Sequence, residues 1–342
     1  MSKKRAMHVV VTGGAGFIGS HLVEALLARG DAVTVLDNLS TGRIENLSPV
    51  RDHPRLRFVP GDARDARLFA RLIKNTDAVF HLAAHVGVRR IVRHSVASLL
   101  NNVEGTIAVC AAASRARTRL VLFSSSEVYG KGRGEVLDER DDLVIGAPSV
   151  ARWSYAAGKA VDESLALACH AEQGLPVTVL RCFNTCGPRQ TDRYGMVLPT
   201  FIRQALAGAP LTVHGDGRQT RCFSYVGDVV RGALLLAASP AAIGEIFNVG
   251  NDEEVAIADL AAKIVAMTAS ASPIQQVPYE RVFGATFEDV RRRVPSLEKI
   301  RAFVGYEPEV SLDGLLALTV ASFRPALAPR PERHARAAGP AA

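Results

Sequence analysis

Thr12-Gly13-Gly14-Ala15-Gly16-Phe17-Ile18-Gly19-Ser20 is the stretch that decides the fold. Before it, His8–Thr12 is a short Val-rich run that reads as a strand. Behind it, Ser20–Arg29 reads as a helix. The glycines at 13, 16 and 19 suit three separate tasks in a strand-to-helix turn. Gly13 permits the tight turn, Gly16 lets backbone approach a pyrophosphate, and Gly19 lets helix and strand pack closely. The helix N-terminus then presents free N–H groups and a partial positive charge to phosphate. Asp37 ends the next strand, where a carboxylate accepts hydrogen bonds from ribose hydroxyls and repels a 2′-phosphate. The pattern predicts a dinucleotide site that takes NAD rather than NADP.

The pattern continues outward as alternating strand and helix. Ala32–Asp37, Leu56–Pro60, Ala78–Leu82, Leu120–Ser124 and Val177–Arg181 are short, continuous apolar runs, as in parallel strands covered on both faces. Asp65–Lys74, Ser98–Ser114 and Ser154–Gln173 read as helices between them. This predicts an α/β protein with a doubly wound parallel sheet, the Rossmann arrangement. After Arg181, short segments such as Leu211–His214 and Phe247–Val249 are divided by Gly- and Pro-rich turns and by helices at Val197–Ala207 and Ile257–Met267. They suggest a smaller C-terminal α/β substrate lobe. The expected division is a cofactor domain at 7–181 with a return segment near 221–250, a lobe over 182–323, and a disordered basic tail at 324–342.

Composition narrows the function. With 48% hydrophobic and 22% charged residues, the 342-residue chain is neither a disordered polymer nor a coiled coil. The net charge of +7 sits mainly in Lys3, Lys4 and Arg5 and in Arg324, Arg330, Arg333 and Arg336, opposed by Glu332. The body is close to neutral, which argues against a folded nucleic-acid-binding face. Apolar runs such as Ala233–Ala238 are far below the roughly 18 residues of a membrane span. No signal peptide is evident, so a cytoplasmic protein is expected. Cys110, Cys169, Cys182, Cys186 and Cys222 are read as reduced packing residues. The Cys182/Cys186 pair lacks a second pair to complete a zinc site, so no metal is expected.

Tyr155-Ala156-Ala157-Gly158-Lys159 places Tyr and Lys four apart on one helix face. A phenol is a poor base at neutral pH, and a neighbouring ammonium favours its ionised form. Ser124-Ser125-Ser126-Glu127-Val128-Tyr129-Gly130 closes the fifth strand at the sheet edge where ligands bind in open α/β folds.

With these runs in view, the chain resembles an extended short-chain dehydrogenase/reductase of the nucleotide-sugar epimerase, dehydratase and decarboxylase superfamily. The resemblance covers residues 7–320. It rests on TGGAGFIG (12–19), LDN (36–38), HLAA (81–84), SSSEVYG (124–130), YAAGK (155–159), RCFNTCGPRQ (181–190), GDGRQTRCF (215–223) and FNVGN (247–251). It implies cofactor contacts at Gly13, Gly16, Phe17, Ile18, Gly19, Asp37, Asn38, Gly42, Asp62, Ala63, Leu82, Ala84, Tyr155 and Lys159. Substrate contacts are implied at Asn102, Asn184 and Arg221. Glu127 matches dehydratases and UDP-glucuronate decarboxylases, whereas C4 epimerases usually carry a small residue there. Ser126 departs from the thymidine-linked 4,6-dehydratases, which carry Asp. Phe287–Pro295 resembles the decarboxylase stretch whose arginine faces the sugar carboxylate, and Arg293 is the matching position. His85-Val86-Gly87-Val88-Arg89 looks more like epimerases.

The resemblance implies Ser125, Glu127, Tyr155, Lys159 and Arg293 as the catalytic set, with Glu127 managing protons at C5. Its implied reaction is decarboxylation of UDP-glucuronate to UDP-xylose or the 4-keto precursor. Nucleotide-sugar C4 epimerisation, 4,6-dehydration and a non-catalytic NAD(H) sensor are the alternatives. For Arg293 the competing reading is a surface pair with Glu288 or Asp289. The helices near 98–114 and 154–173 resemble the superfamily's dimer-forming pair, implying a homodimer.

Overall fold

The computed structural model describes residues 5–132, 134–193, 195–283 and 288–327. Lys3, Lys4, Phe287 and the chain from residue 328 onward lie outside the described residues.

Seven parallel strands form the central sheet: β1 (His8–Thr12), β2 (Ala32–Asp37), β3 (Leu56–Pro60), β4 (Ala78–His81), β5 (Arg119–Ser125), β6 (Val177–Cys182) and β11 (Ile246–Val249). Their spatial order is β11-β6-β5-β4-β1-β2-β3. The order reverses between β1 and β4, where the crevice of a doubly wound sheet opens. Five helices flank it: α1 (Phe17–Ala28), α2 (Ala66–Leu72), α4 (Ser95–Ala116), α5 (Trp153–Gln173) and α7 (Val226–Ala238). A short helix α3 (Val88–Arg93) precedes α4. The strands are apolar throughout because both faces are buried. Val9, Val11, Val33, Val35 and Phe80 pack with α1 and α7, while Val10, Val79, Leu120 and Leu122 pack on the opposite side with α2, α4 and α5.

The other strands are β7 (Thr185–Cys186), β8 (Leu211–His214), β9 (Thr220–Cys222), β10 (Ser224–Tyr225), β12 (Glu254–Ala256), β13 (Ile274–Val277) and β14 (Arg292–Arg293). They pair as β10–β7, β13–β8 and β12–β9–β14. Helices α6 (Val197–Leu206), α8 (Ile257–Thr268) and α11 (Leu312–Leu327) share a separate core through Phe201, Ile202, Leu260, Ile264, Leu315 and Leu316. Helices α9 (Tyr279–Phe283) and α10 (Glu298–Val304) complete the chain.

Phe247–Val249, inside the return segment near 221–250, lies in the central sheet, where Phe247 pairs with Leu180 and both enter the main core. Two differences from the sequence expectations have physical causes. Helix α1 starts at Phe17, not Ser20, because Gly16 already acts as its cap and accepts the Ser20 N–H at 3.1 Å. Helix α11 runs through Arg324 to Leu327, where disorder was expected. Its apolar period of Leu312, Leu315, Leu316 and Val320 extends to Phe323, which packs on the same core.

Helix α4 is long and apolar enough by length and composition to cross a membrane. Its apolar residues are interrupted by Asn101, Asn102, Glu104 and Thr106. Here it packs against α5, with Asn102, Gly105, Thr106 and Val109 among its buried residues.

Candidate active site

A single cleft along the carboxyl edge of the sheet runs from the glycine loop, past Asp37 and Asp62, to Ser125, Glu127, Tyr155, Lys159 and Arg293. At the β1 end the loop is as tight as its glycines require. Gly13 has φ +72°, and a Cβ there would lie 2.8 Å from the Ala83 nitrogen. A Cβ on Gly19 would collide with the Gly13 carbonyl. Backbone thus approaches the cleft where side chains would fill it, and the first turn of α1 opens into the same space. A pyrophosphate fits this cradle.

Asp37 is buried and tethered. Its carboxylate accepts the Ala15 N–H at 3.0 Å and the Leu39 N–H at 2.8 Å. Burial pushes its pKa up, and the two N–H groups oppose the rise. Gly42 stands behind it, where a Cβ would come within 2.9 Å of Asp37 Oδ2. Asp62 is held at about 2 by its hydrogen bond with Arg64, and Asn38 Nδ2 donates to it at 3.0 Å. Phe17, Ile18, Asn38, Ala63, Leu82 and Ala84 all line the cleft. These residues fit a dinucleotide, with its phosphates at the loop and a ribose at Asp37.

At the other end, Tyr155 and Lys159 lie one turn apart on α5. The Lys159 ammonium donates to the Phe123 carbonyl and to Asp162 Oδ2, each at 3.1 Å. Burial, with the Glu127 charge, holds the Tyr155 phenol above its ordinary value, and the Lys159 charge and a hydrogen bond with Ser125 oppose the rise. Ser125 Oγ also accepts the Glu127 N–H at 3.2 Å, which fixes the turn after β5.

Strand pairing assembles the cationic wall. Parallel strands β9 and β14 set Arg293 directly beside Arg221. Arg293 Nη1 donates to Glu127 Oε1 at 2.7 Å, and Arg152 Nη2 lies 3.5 Å from Glu127 Oε2. Arg152 and Arg221 share Asp289, at 3.2 and 3.0 Å, and Tyr279 donates to the same carboxylate at 2.6 Å. Burial favours a protonated Glu127, but Arg293, Arg152 and then Arg221 outweigh it and hold the carboxyl at about 2. Arg221 is pushed down by burial and then by Arg293.

The surface pairing of Arg293 with Glu288 or Asp289 is therefore not what the fold provides. Glu288 takes Trp153 and Lys131, and Asp289 takes Arg152 and Arg221. Arg293 is 3% exposed, and its Nη2 is buried without a hydrogen-bond partner among the described residues.

Of the three residues matched to substrate contacts, Asn184 lines the cleft and donates to the Cys222 carbonyl at 2.8 Å. Arg221 sits beside Arg293, outside the lining. Asn102 is 3% exposed behind the wall, where its amide accepts the His85 N–H at 2.7 Å and donates to the His85 carbonyl at 3.2 Å. Its neighbour Asn101 lines the cleft instead. From the sequence, neither Arg152 nor Asp162 is singled out, and Asp289 is named only as a surface partner for Arg293. Arg152 does stand three residues before Tyr155, and Asp289 two before the arginines at 291–293, but no local pattern marks either as part of a charge network.

A family model described as the NAD dependent epimerase/dehydratase family matches residues 9–250. The chain is 41% identical over 323 residues to UDP-N-acetyl-alpha-D-glucosaminuronate decarboxylase of Bacillus cytotoxicus, covering 94% of this chain and 98% of the relative. It is 36% identical to UDP-glucuronic acid decarboxylase 2 of Arabidopsis thaliana, covering 94% and 69%. Among solved structures, the dTDP-glucose 4,6-dehydratase DesIV of Streptomyces venezuelae, with NAD and TYD bound, superposes with a TM-score of 0.84 at 36% identity, covering 93% of this chain and 97% of that one. UDP-glucose 4-epimerase of Thermotoga maritima, with UDP-glucose, gives 0.84 at 31%, covering 94% and 100%. Fold, cleft and likenesses agree: the chain is an enzyme of the NAD-dependent epimerase/dehydratase family.

Proposed function

We propose that this enzyme decarboxylates a UDP-linked uronic acid through a transient 4-keto sugar. The observation that carries this reading is Arg293 Nη2, a buried guanidinium nitrogen without a hydrogen-bond partner among the described residues, on a residue that lines the cleft with Tyr155 and Lys159. Around it, Arg152 and Arg293 pair with Glu127, and Arg152 and Arg221 with Asp289, so the wall that a substrate carboxylate would meet is rich in guanidinium groups.

The sheet domain, with α7 and β11, holds the cofactor, and the rest of 182–323 holds the nucleotide sugar. Bound NAD supplies a two-electron acceptor, and then a donor, at C4 of the sugar. Tyr155 accepts the C4 hydroxyl proton, Ser125 hydrogen-bonds the same oxygen, and the Lys159 charge opposes the rise that burial gives the phenol. The C5–carboxylate bond of the ketone then breaks, and its electron pair moves onto the C4 oxygen as carbon dioxide leaves. Arg293 positions the carboxylate for this step. A carboxyl held at about 2 is a poor proton donor at neutral pH, so Glu127 acts first by orienting Arg293.

The names of the relatives leave two substrates to compare, UDP-glucuronic acid and its 2-acetamido-2-deoxy analogue. From the first, the product is UDP-xylose or its 4-keto precursor. Incubation with each substrate, followed by product NMR, tests the reading. The second reading, C4 epimerisation, draws on the epimerase-like loop after Ala84 and requires no carboxylate.

The working unit in this proposal is a homodimer. Val96, Leu99, Leu100 and Ile107 on α4 and Val161 on α5 are exposed apolar side chains, Val96 at 73%.

A further inference from the structure

Lys159 is 3% exposed, and an ammonium removed from water tends to lose its proton. Its counter-charge is Asp162, one helical turn on, with Oδ2 at 3.1 Å from Nζ. Asp162 is fully buried, and its Oδ1 has no hydrogen-bond partner among the described residues. A carboxylate in such a place costs desolvation energy that packing alone would not require, since apolar side chains would fill the same volume.

We propose that Asp162 is a positioning residue for the oxidation step: its carboxylate holds Lys159 as a fixed ammonium one turn from Tyr155. This rests on reading Tyr155 and Lys159 as the proton-handling pair, and not on the identity of the sugar.

The charged and titratable groups around the pair leave Asp162 as the main support. From α5 itself these are Tyr155 and Glu163, the latter already engaged by Arg181 at 2.8 Å. From the turn after β5, Glu127 faces Tyr155 but is held by Arg293. His81 on β4 feels the Lys159 charge and is pushed down to about 3, first by burial, so it is neutral. Cys182 on β6 and Cys110 on α4 are pushed up to about 12 by burial, so both are uncharged thiols. Burial opposes the Lys159 charge most, Asp162 comes next in influence, and Asp162, Tyr155 and Glu163 together more than restore it.

The test is a direct titration of Lys159 by NMR of the enzyme grown with 13C-lysine, which needs no substrate. The chain has seven lysines, few enough to resolve. In the wild type, Lys159 should titrate no lower than exposed Lys74. In Asp162→Asn it should titrate at least about one pH unit lower, and Asp162→Glu should restore most of the difference. The basic limb of the turnover profile should move down with it in Asp162→Asn, whereas a purely structural role would lower activity evenly across pH. An unchanged Lys159 midpoint and basic limb in folded Asp162→Asn overturns the proposal. If that variant does not fold, a wild-type Lys159 midpoint more than about one unit below Lys74 overturns it. A failure of the decarboxylase reading shows separately, as no carbon dioxide with the titration result intact.

Discussion

Arg293 and Glu127 are 166 residues apart in sequence, and their side chains meet at 2.7 Å inside the cleft. The pair joins the turn after β5 to β14, so it ties the cofactor domain to the lobe at the reacting end. It also fixes both charges in a partly dry site, where each alone would be costly.

That pairing makes a pH-dependent stability contribution. Glu127 is lowered from 4.5 to about 2 in the folded protein. Its contribution is therefore complete above the unfolded value and is lost as pH falls from there toward 2. Thermal melts of wild type and Glu127→Gln should differ by a constant gap from pH 8 to about 5, with the gap narrowing toward about pH 3. A gap that holds steady to that pH would show that Glu127 is not ionised through the pair.

Tyr155→Phe removes a proton acceptor while keeping the ring. Turnover should fall on the order of a hundredfold or more, with NAD affinity by calorimetry nearly unchanged. Turnover within about tenfold of wild type would remove Tyr155 from the role of base.

Asp37 has both oxygens tethered to backbone N–H groups, so it cannot swing away from a 2′-phosphate. NADP should bind at least about tenfold more weakly than NAD, and Asp37→Ala should narrow the difference. Equal or tighter NADP binding in the wild type contradicts this.

Light scattering should give twice the chain mass for the wild type. A Leu100→Lys/Ile107→Lys variant, which charges the exposed face of α4, should shift toward the monomer. A monomeric wild type at micromolar concentration would remove the homodimer.

The strands were legible because parallel strands buried on both faces must be apolar at every position, and Val9 to Val11 obey that rule. The glycine loop was legible because each glycine answers a local steric need. What the sequence hid is set by register and packing. The match of Arg293 to Arg221 across β9 and β14 depends on how the lobe folds back, and nothing near residue 293 announces Glu127 as its partner. Asp162 looked like an ordinary polar helix residue, since burial on α5 depends on α4 and the sheet together. Asn102 was matched by motif to the substrate side, but the turn of α4 places Asn101 at the cleft and Asn102 behind it.

Carbon dioxide release from UDP-glucuronic acid and its 2-acetamido-2-deoxy analogue, measured for wild type and Arg293→Ala, tests the central claim most directly. The account expects release from at least one of them, matched by product on NMR. In Arg293→Ala the release should fall on the order of a hundredfold, because a buried carboxylate loses its cation. Wild-type enzyme that releases none from either, yet interconverts UDP-glucose and UDP-galactose, contradicts the decarboxylase account and leaves the epimerase in its place.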